Sequence, residues 1–276
     1  YLVTPKILAT GCEGEDFTVT ITVNPEPQID NFSETICEGD TFISITPEDG
    51  TNGVVPLGTT YTWDIAANSS SSIEGASAST AASATIPGSE LTLVAGTTSP
   101  QDLIYVVTPT SSEGCEGEDF TVTITVNPTA QMNEVTDIVV CNGEEATIDF
   151  TTNNTGGITS YVWENTGGVD IGLSALSGTI EDTNPDLSFT AVNTGADAIS
   201  TEITIYPTFE NGNVTCTSPS QTFTITVNPE PQIDNFTETI CEGDTFTSIT
   251  PEDVTNGVVP SGTTYTWDIS ANSSSS

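Results

Sequence analysis

The sequence predicts an all-β fold, with tandem β-sandwich domains strung end to end. Three observations carry that expectation. Segments such as Phe17–Val23 and Phe120–Val126 alternate Phe, Val or Ile with Thr, the period of a half-buried strand. Turn-forming residues interrupt such segments at short intervals. Long stretches of sequence also recur about one hundred residues apart, a length sufficient for an independent core.

The recurrences define the units. CEGEDFTVTITVNP occupies 12–25 and returns unchanged at 115–128. Residues 26–72 return at 230–276 with differences only at 33, 43, 50, 57 and 66, against 237, 247, 254, 261 and 270. A more divergent unit lies between and ends in QTFTITVNP at 221–229. Boundaries are therefore expected after Pro25, Pro128 and Pro229. Residues 26–128 and 129–229 read as complete repeats. Residues 1–25 read as the C-terminal part of a preceding repeat and 230–276 as the N-terminal part of a following one, so the sequence reads as a stretch of a longer array.

Within 26–128, strands are expected near 28–35, 41–46, 60–66, 84–86, 90–94, 102–108 and 119–126. Glu38-Gly39-Asp40, Asn52-Gly53, Pro87-Gly88 and Ser112-Glu113-Gly114 supply the turns between them. About seven strands in a hundred residues suit a two-sheet sandwich of immunoglobulin-like type. No segment has a convincing helical period. The three tryptophans fall at one equivalent place, in Tyr61-Thr62-Trp63, Tyr161-Val162-Trp163 and Tyr265-Thr266-Trp267. Exposed, they would be sugar-stacking platforms. One Trp per unit at a fixed strand position favours a core role for Trp63, Trp163 and Trp267.

These motifs carry a resemblance. Cys37-Glu38-Gly39-Asp40-Thr41-Phe42 near the start of a unit, Tyr61-Thr62-Trp63-Asp64 in its middle and Phe120–Pro128 at its end resemble the PKD-like repeats of giant surface proteins of gliding Bacteroidetes. The resemblance spans the chain. It implies an immunoglobulin-like fold, a bacterial cell-surface location reached by type 9 secretion, and a role in adhesion or gliding motility.

All six cysteines recur at two places. Cys37, Cys141 and Cys241 precede the second strand, and Cys12, Cys115 and Cys216 begin or precede the last. In an extracellular array they are expected to form disulfides. Two connectivities are open. Pairing within repeats gives Cys37–Cys115 and Cys141–Cys216. Pairing between neighbours gives Cys37–Cys216. If the first and last strands run the same way, the two cysteines of a repeat lie at opposite ends, on the order of 30 Å apart, which opposes the first choice. A kinked or split first strand would restore it.

The charge excludes several partners. There are 39 Asp and Glu, one Lys or Arg and no His, for a net charge of −38. Nucleic acid and anionic membrane surfaces need clustered cations, and Lys6 is the sole one. No apolar run is long enough for insertion into a membrane. Without His, the commonest general base is missing, and nothing is available to activate the abundant Ser and Thr. A carboxylate pair could hydrolyse glycosides. Such a pair would recur in every repeat with no cleft implied, and the chain is not expected to be an enzyme. Clustered carboxylates without His or thiolate are hard oxygen donors, the chemistry of Ca²⁺. Glu38 and Asp40, and Glu116, Glu118 and Asp119, are the residues that would hold it. They lack the spacing of an EF-hand loop, and most of the acids are expected to form a solvated surface. The sequons at Asn31, Asn68, Asn153, Asn213, Asn235 and Asn272 are what an Asn/Ser/Thr-rich chain produces by chance.

The function expected from these features is an acidic, stiff extracellular spacer: the stalk of a long secreted adhesin. Its partners would be neighbouring repeats of the same chain and a surface or polysaccharide ligand at a distant tip. The alternatives are a structural subunit of an extracellular fibre and an array of carbohydrate-binding modules.

Overall fold

The computed structural model describes residues 1–181 and 186–268. The final residues of the 230–276 segment, Asn272 among them, lie outside the described residues. Every regular element among the described residues is a β-strand. The chain forms two compact units. One comprises Tyr1–Ala95 with Gln101–Val126, and the other Gly96–Pro100 with the chain from Asn127 onward.

In the first unit, β1 (Leu2–Val3) and β2 (Phe17–Thr18) pair as a short antiparallel ladder. Then come β3 (Gln28–Ile29), β4 (Phe32–Cys37), β5 (Gly53–Val54), β6 (Thr60–Ile65), β7 (Ile73–Glu74), β8 (Ser79–Ser83), β9 (Thr92–Leu93), β10 (Gln101–Thr110) and β11 (Phe120–Asn127). The main sheet has the order β4-β11-β10-β6-β8. The facing layer is slight. It consists of the β7–β9 pair and the isolated bridges Thr41↔Glu90 and Ile45↔Ile86. The core lies between the layers, where Phe42, Ile45, Ile86 and Leu91 meet Tyr61, Trp63, Tyr105, Phe120, Val122 and Ile124.

The second unit builds the same sandwich more fully. Its strands are β12 (Ile138–Cys141), β13 (Glu145–Asp149), β14 (Ile158–Asn165), β15 (Ser177–Glu181), β16 (Asp186–Thr190), β17 (Ile199–Asn211), β18 (Val214–Thr217) and β19 (Gln221–Asn228). One sheet has the order β12-β19-β17-β14-β15, with β18 pairing β17, and the β13–β16 ladder forms the other. Ile148, Phe150, Leu187 and Phe189 from one face pack with Tyr161, Trp163, Ile203, Ile205, Phe223 and Ile225 from the other. The β17–β18 hairpin turns through Gly212 and Asn213, both with positive φ (61° and 60°), the two-residue turn whose twist suits antiparallel strands. A last short pair joins β20 (Gln232–Ile233) to β21 (Gly257–Val258).

Several expected strands change shape. The first strand is split, with 28–29 and 32–37 separated at Asp30 and Asn31. The strand expected at 41–46 is reduced to two bridges, because Ile43 turns outward and donates its N–H to the Glu34 carboxylate at 3.0 Å. The strand expected near 84–86 lies at 79–83, and Ile86 is instead a core bridge residue. That strand, STAAS, has no alternating apolar side chains, so only its pairing with β6 defines it.

Candidate functional site: the cysteine-bearing ends of the repeat

The strand directions place the cysteines. In the second repeat β12 runs parallel to β19, with Cys141 beside Asn228 at the end where the chain leaves the repeat. Cys216 lies opposite Phe209 on β18, and β17 runs from Ile199, opposite Val227, to Phe209. Those ten steps along a strand amount to about 30 Å. A disulfide requires Cα atoms within roughly 7 Å. Cys141 and Cys216 are thus at opposite ends of one repeat.

The first repeat has the same polarity. The Asn31 side chain accepts the Thr121 N–H at 2.7 Å, and Phe32 packs at a tilt against Phe120 with ring centroids 6.0 Å apart. Asp137 does for Thr224 what Asn31 does for Thr121, also at 2.7 Å. The start of β4 therefore lies beside the start of β11, and Cys37 lies at its far end. Cys115 sits before β11, in the turn where Ser111 N–H donates to Cys115 O at 2.9 Å. Gly117 abuts Pro27, and a Cβ there would come within 2.1 Å of the Pro27 carbonyl oxygen, so no other residue fits that close approach. The Cys115 hairpin therefore belongs to the end where the chain enters the repeat. The split in the first strand leaves this polarity intact.

Cys12, Cys115, Cys141 and Cys241 are free thiols, and Cys37 and Cys216 are disulfide-bonded. Neither within-repeat pair, Cys37–Cys115 or Cys141–Cys216, is formed. The reason is the strand polarity just described. Cys216 is buried, whereas Cys12, Cys141 and Cys241 are exposed.

The acids beside these cysteines have local roles. In the turns after β12 and at Cys241, the fourth residue accepts the cysteine N–H. Glu144 does so for Cys141 at 2.8 Å and Asp244 for Cys241 at 3.1 Å. Asp40 occupies the equivalent place after Cys37, and its N–H donates to Cys37 O at 3.1 Å. Gly39, Gly143 and Gly243 supply the positive φ of these turns. Asp119 accepts the Thr108 hydroxyl at 2.6 Å, and Asp16 takes Thr4 in the same way at 2.6 Å. The Thr247 hydroxyl and N–H, at 2.7 and 2.9 Å, hold the Glu238 carboxyl below the usual carboxylate range. Glu38 and Asp40 lie at one end of the repeat and Glu116, Glu118 and Asp119 near the other, so the structure does not bring the two sets together. Among the described residues, no three acids or cysteines gather into a metal-holding group.

Trp63 and Trp163 are buried. The Trp63 indole N–H donates to Ser77 O at 2.9 Å. A Cβ on Gly178 would come within 2.8 Å of the Trp163 indole nitrogen, so the small residue makes room for the ring. Trp267 differs from the core expectation, being 89% exposed. Among the described residues of 230–268 the only strands are β20 and β21, and no sandwich forms there around the ring.

Sequence reasoning missed the buried asparagines. Asn193 donates its amide protons to Asp197 O at 2.8 Å and Val227 O at 2.9 Å, and accepts Gly195 N–H at 3.0 Å. Its own N–H donates to Asn142 at 2.8 Å. It thereby ties the Asn142-Gly143 turn to the end of β19. In the second unit, Gln131 Nε2 donates to Thr97 O at 3.1 Å and Thr155 N–H to Thr98 O at 2.9 Å. Asn127 and Asn211 bond reciprocally, both at 2.9 Å. Polar residues in turn-rich segments give no periodic signal that would single these out.

A family described as PKD-like domain matches residues 34–130. No curated protein matches the chain in sequence. Among solved structures, the fibronectin(III)-like modules of Clostridium thermocellum CbhA are 16% identical, with 75% of this chain and 96% of that one covered at a TM-score of 0.30. The FN1-FN3 domains of chicken CNTN1 are 12% identical, with 82% and 76% covered at a TM-score of 0.31. The fold assignment rests on the strands and the family match, not on these distant likenesses.

Proposed function

We propose that this chain is a stalk segment of a long secreted surface protein, in which PKD-like sandwich repeats act as an acidic extracellular spacer for attachment or gliding. One observation carries the reading. The first and last strands of a repeat run parallel, so the chain enters each repeat at one end and leaves at the other. Repeats of that polarity add length with each copy. The charge supports the same reading. With 39 acids and a single Lys, self-repulsion along an array favours extension and discourages lateral clumping.

The location proposed is the outer surface of a bacterial cell, reached by type 9 secretion, on the strength of the family resemblance and the disulfide chemistry. No helix among the described residues is long and apolar enough to cross a membrane. Binding to a surface or polysaccharide is assigned to another part of the protein, since Trp63 and Trp163 are core residues.

The test is to shorten and lengthen the array in the intact protein. A spacer loses attachment gradually as repeats are removed, whichever repeats they are. Loss of attachment on replacing one particular repeat by another would instead assign a binding site to it. Association of separate chains through these repeats would favour the fibre.

A further inference from the structure

We propose that Asn52 and Asn256 are sites of spontaneous deamidation, at which the nitrogen of the following glycine expels the side-chain amide as ammonia. The sequence holds four Asn-Gly pairs, at Asn52, Asn142, Asn211 and Asn256. Glycine is the favourable follower, because no side chain hinders its nitrogen and its backbone turns freely. The fold then treats the four pairs differently.

The first difference is at the nucleophile. Ile29 of β3 lies opposite Gly53 of β5, and the next pair along is closed by Asp30 N–H donating to Asn52 O at 3.0 Å. Opposed residues of an antiparallel ladder alternate between bonded and non-bonded pairs. Ile29 and Gly53 are therefore a non-bonded pair, and the Gly53 N–H points away from β3. Asn256 repeats this arrangement, with Ile233 opposite Gly257 and Asp234 N–H donating to Asn256 O at 3.0 Å. Attack at either place breaks no ladder bond. At Asn142 the nucleophile is tied down, since Gly143 N–H donates to Ala191 O at 2.8 Å.

The second difference is at the amide under attack. Asn52 Oδ1 accepts Glu48 N–H at 3.0 Å, and Asn256 Oδ1 accepts Glu252 N–H at 2.9 Å. That oxygen carries the negative charge once the nitrogen has added, and a backbone N–H already aimed at it stabilises the charge. At Asn211 the bond falls on the leaving nitrogen instead, Nδ2 donating to Asn127 Oδ1 at 2.9 Å. Asn52 and Asn256 thus combine a glycine nitrogen turned out of its ladder with a polarised side-chain carbonyl.

The steps balance with water alone. The glycine N–H gives its proton to solvent, and its nitrogen bonds to the asparagine Cγ. The Cγ–Nδ2 bond breaks, and Nδ2 takes up a proton and leaves as ammonia. Water then opens the five-membered imide at either carbonyl, giving aspartate or isoaspartate. Either product adds a charge to a turn that already holds an acidic pair, Glu48 and Asp49 or Glu252 and Asp253. Isoaspartate also inserts a methylene into the backbone. Gly53 lies so close to Gln28 that a Cβ on it would come within 2.1 Å of the Gln28 carbonyl oxygen, so the β3–β5 pair has no room for that change.

The test ages the chain of residues 1–276 at mildly alkaline pH, folded and in urea. Glutamate-specific cleavage places Asn52 in 49–74, Asn142 in 135–144, Asn211 in 211–230 and Asn256 in 253–276. Tandem mass spectrometry then follows each amide-to-acid conversion. In the folded chain Asn142 and Asn211 are expected to convert about tenfold more slowly than Asn52 and Asn256, the penalty of first breaking a hydrogen bond of ordinary net strength. In urea the four should convert at similar rates. Methylation by an isoaspartyl methyltransferase should map to the Asn52 and Asn256 peptides, since direct hydrolysis of the amide yields aspartate alone. Folded Asn142 or Asn211 converting as fast as Asn52 and Asn256 would overturn the proposal. So would a ranking that persisted in urea, or conversion without isoaspartate.

Discussion

Val126 is fully buried, and Val23, its counterpart in an identical fourteen-residue sequence, is 87% exposed. Around Val126, the segment 120–127 is an eight-residue strand paired to β10. Around Val23 the same residues form strand only at Phe17 and Thr18. The alternation of Phe, Val and Ile with Thr is a capacity for strand that a neighbouring strand makes real. The same holds for Phe42, which is buried, and its counterpart Phe246, which is exposed.

A pair of tryptophan variants measures this dependence on context. Trp163→Ala is expected to destabilise its repeat by about 3–5 kcal/mol, the usual cost of emptying a large aromatic site. Trp267→Ala is expected to change stability by less than about 0.5 kcal/mol, as at exposed positions generally. Denaturant unfolding followed by circular dichroism compares the two. Equal costs would show that residues 230–268 build a core of their own.

Asn193→Asp is expected to cost about 2–4 kcal/mol. The amide donates to two carbonyl oxygens, and a carboxylate there would face both of them without a proton to give. Asn193→Ala should cost less, since it leaves acceptors unpaired but buries no charge. The ranking of the two midpoints in urea is the check.

Val254 sits at φ 66°, where its counterpart Gly50 has φ 77°. A β-branched residue in the left-handed region is strained by about 1–2 kcal/mol. Both residues close the same turn, Val254 N–H donating to Gly257 O and Gly50 N–H to Gly53 O, each at 2.9 Å. Val254→Gly is expected to raise hydrogen-exchange protection at Val254 and Asn256. Unchanged protection would show the turn to be unstrained.

Asp149 and Asp186 face each other across the last pair of the β13–β16 ladder. Their shared hydrogen bond, together with partial desolvation and the neighbouring charge, raises the Asp186 carboxyl above its ordinary value. A carboxyl raised in the folded state contributes stability that is present below the unfolded pKa and is lost as pH rises through the folded value. The second repeat should therefore lose stability as pH rises through and just above the ordinary aspartate range. Asp186→Asn should flatten that part of the profile and raise stability at pH 7. Thermal melts across pH 3 to 7 compare the two chains.

Much of this fold was legible in the sequence because repetition and alternation are redundant signals. Phe120–Val126, Tyr61, Trp63 and Tyr161 announce their faces by pattern, and the recurrence of the cysteines at two places in each repeat marks its two ends. Ser79–Ser83 was not legible, since small polar side chains become a strand only by lying beside β6. The exposure of Trp267 was not legible either, because it depends on strands distant in sequence. Asn193 and Asn127 have the composition of loop residues, and only the folded chain surrounds them with carbonyls and polar side chains. The acids of the turns read as metal ligands or as surface. Glu144 and Asp244 accept cysteine N–H groups, a role that depends on turn geometry and has no pattern in the sequence.

The central claim is that each repeat adds length. Small-angle scattering on chains carrying two, four and six complete repeats, at low and at high salt, tests it most directly. The account predicts a maximum dimension that grows in proportion to repeat number, by roughly the 30–40 Å of one ten-residue strand per repeat, and that shortens only modestly as salt screens the acids. A maximum dimension that levels off as repeats are added would contradict it.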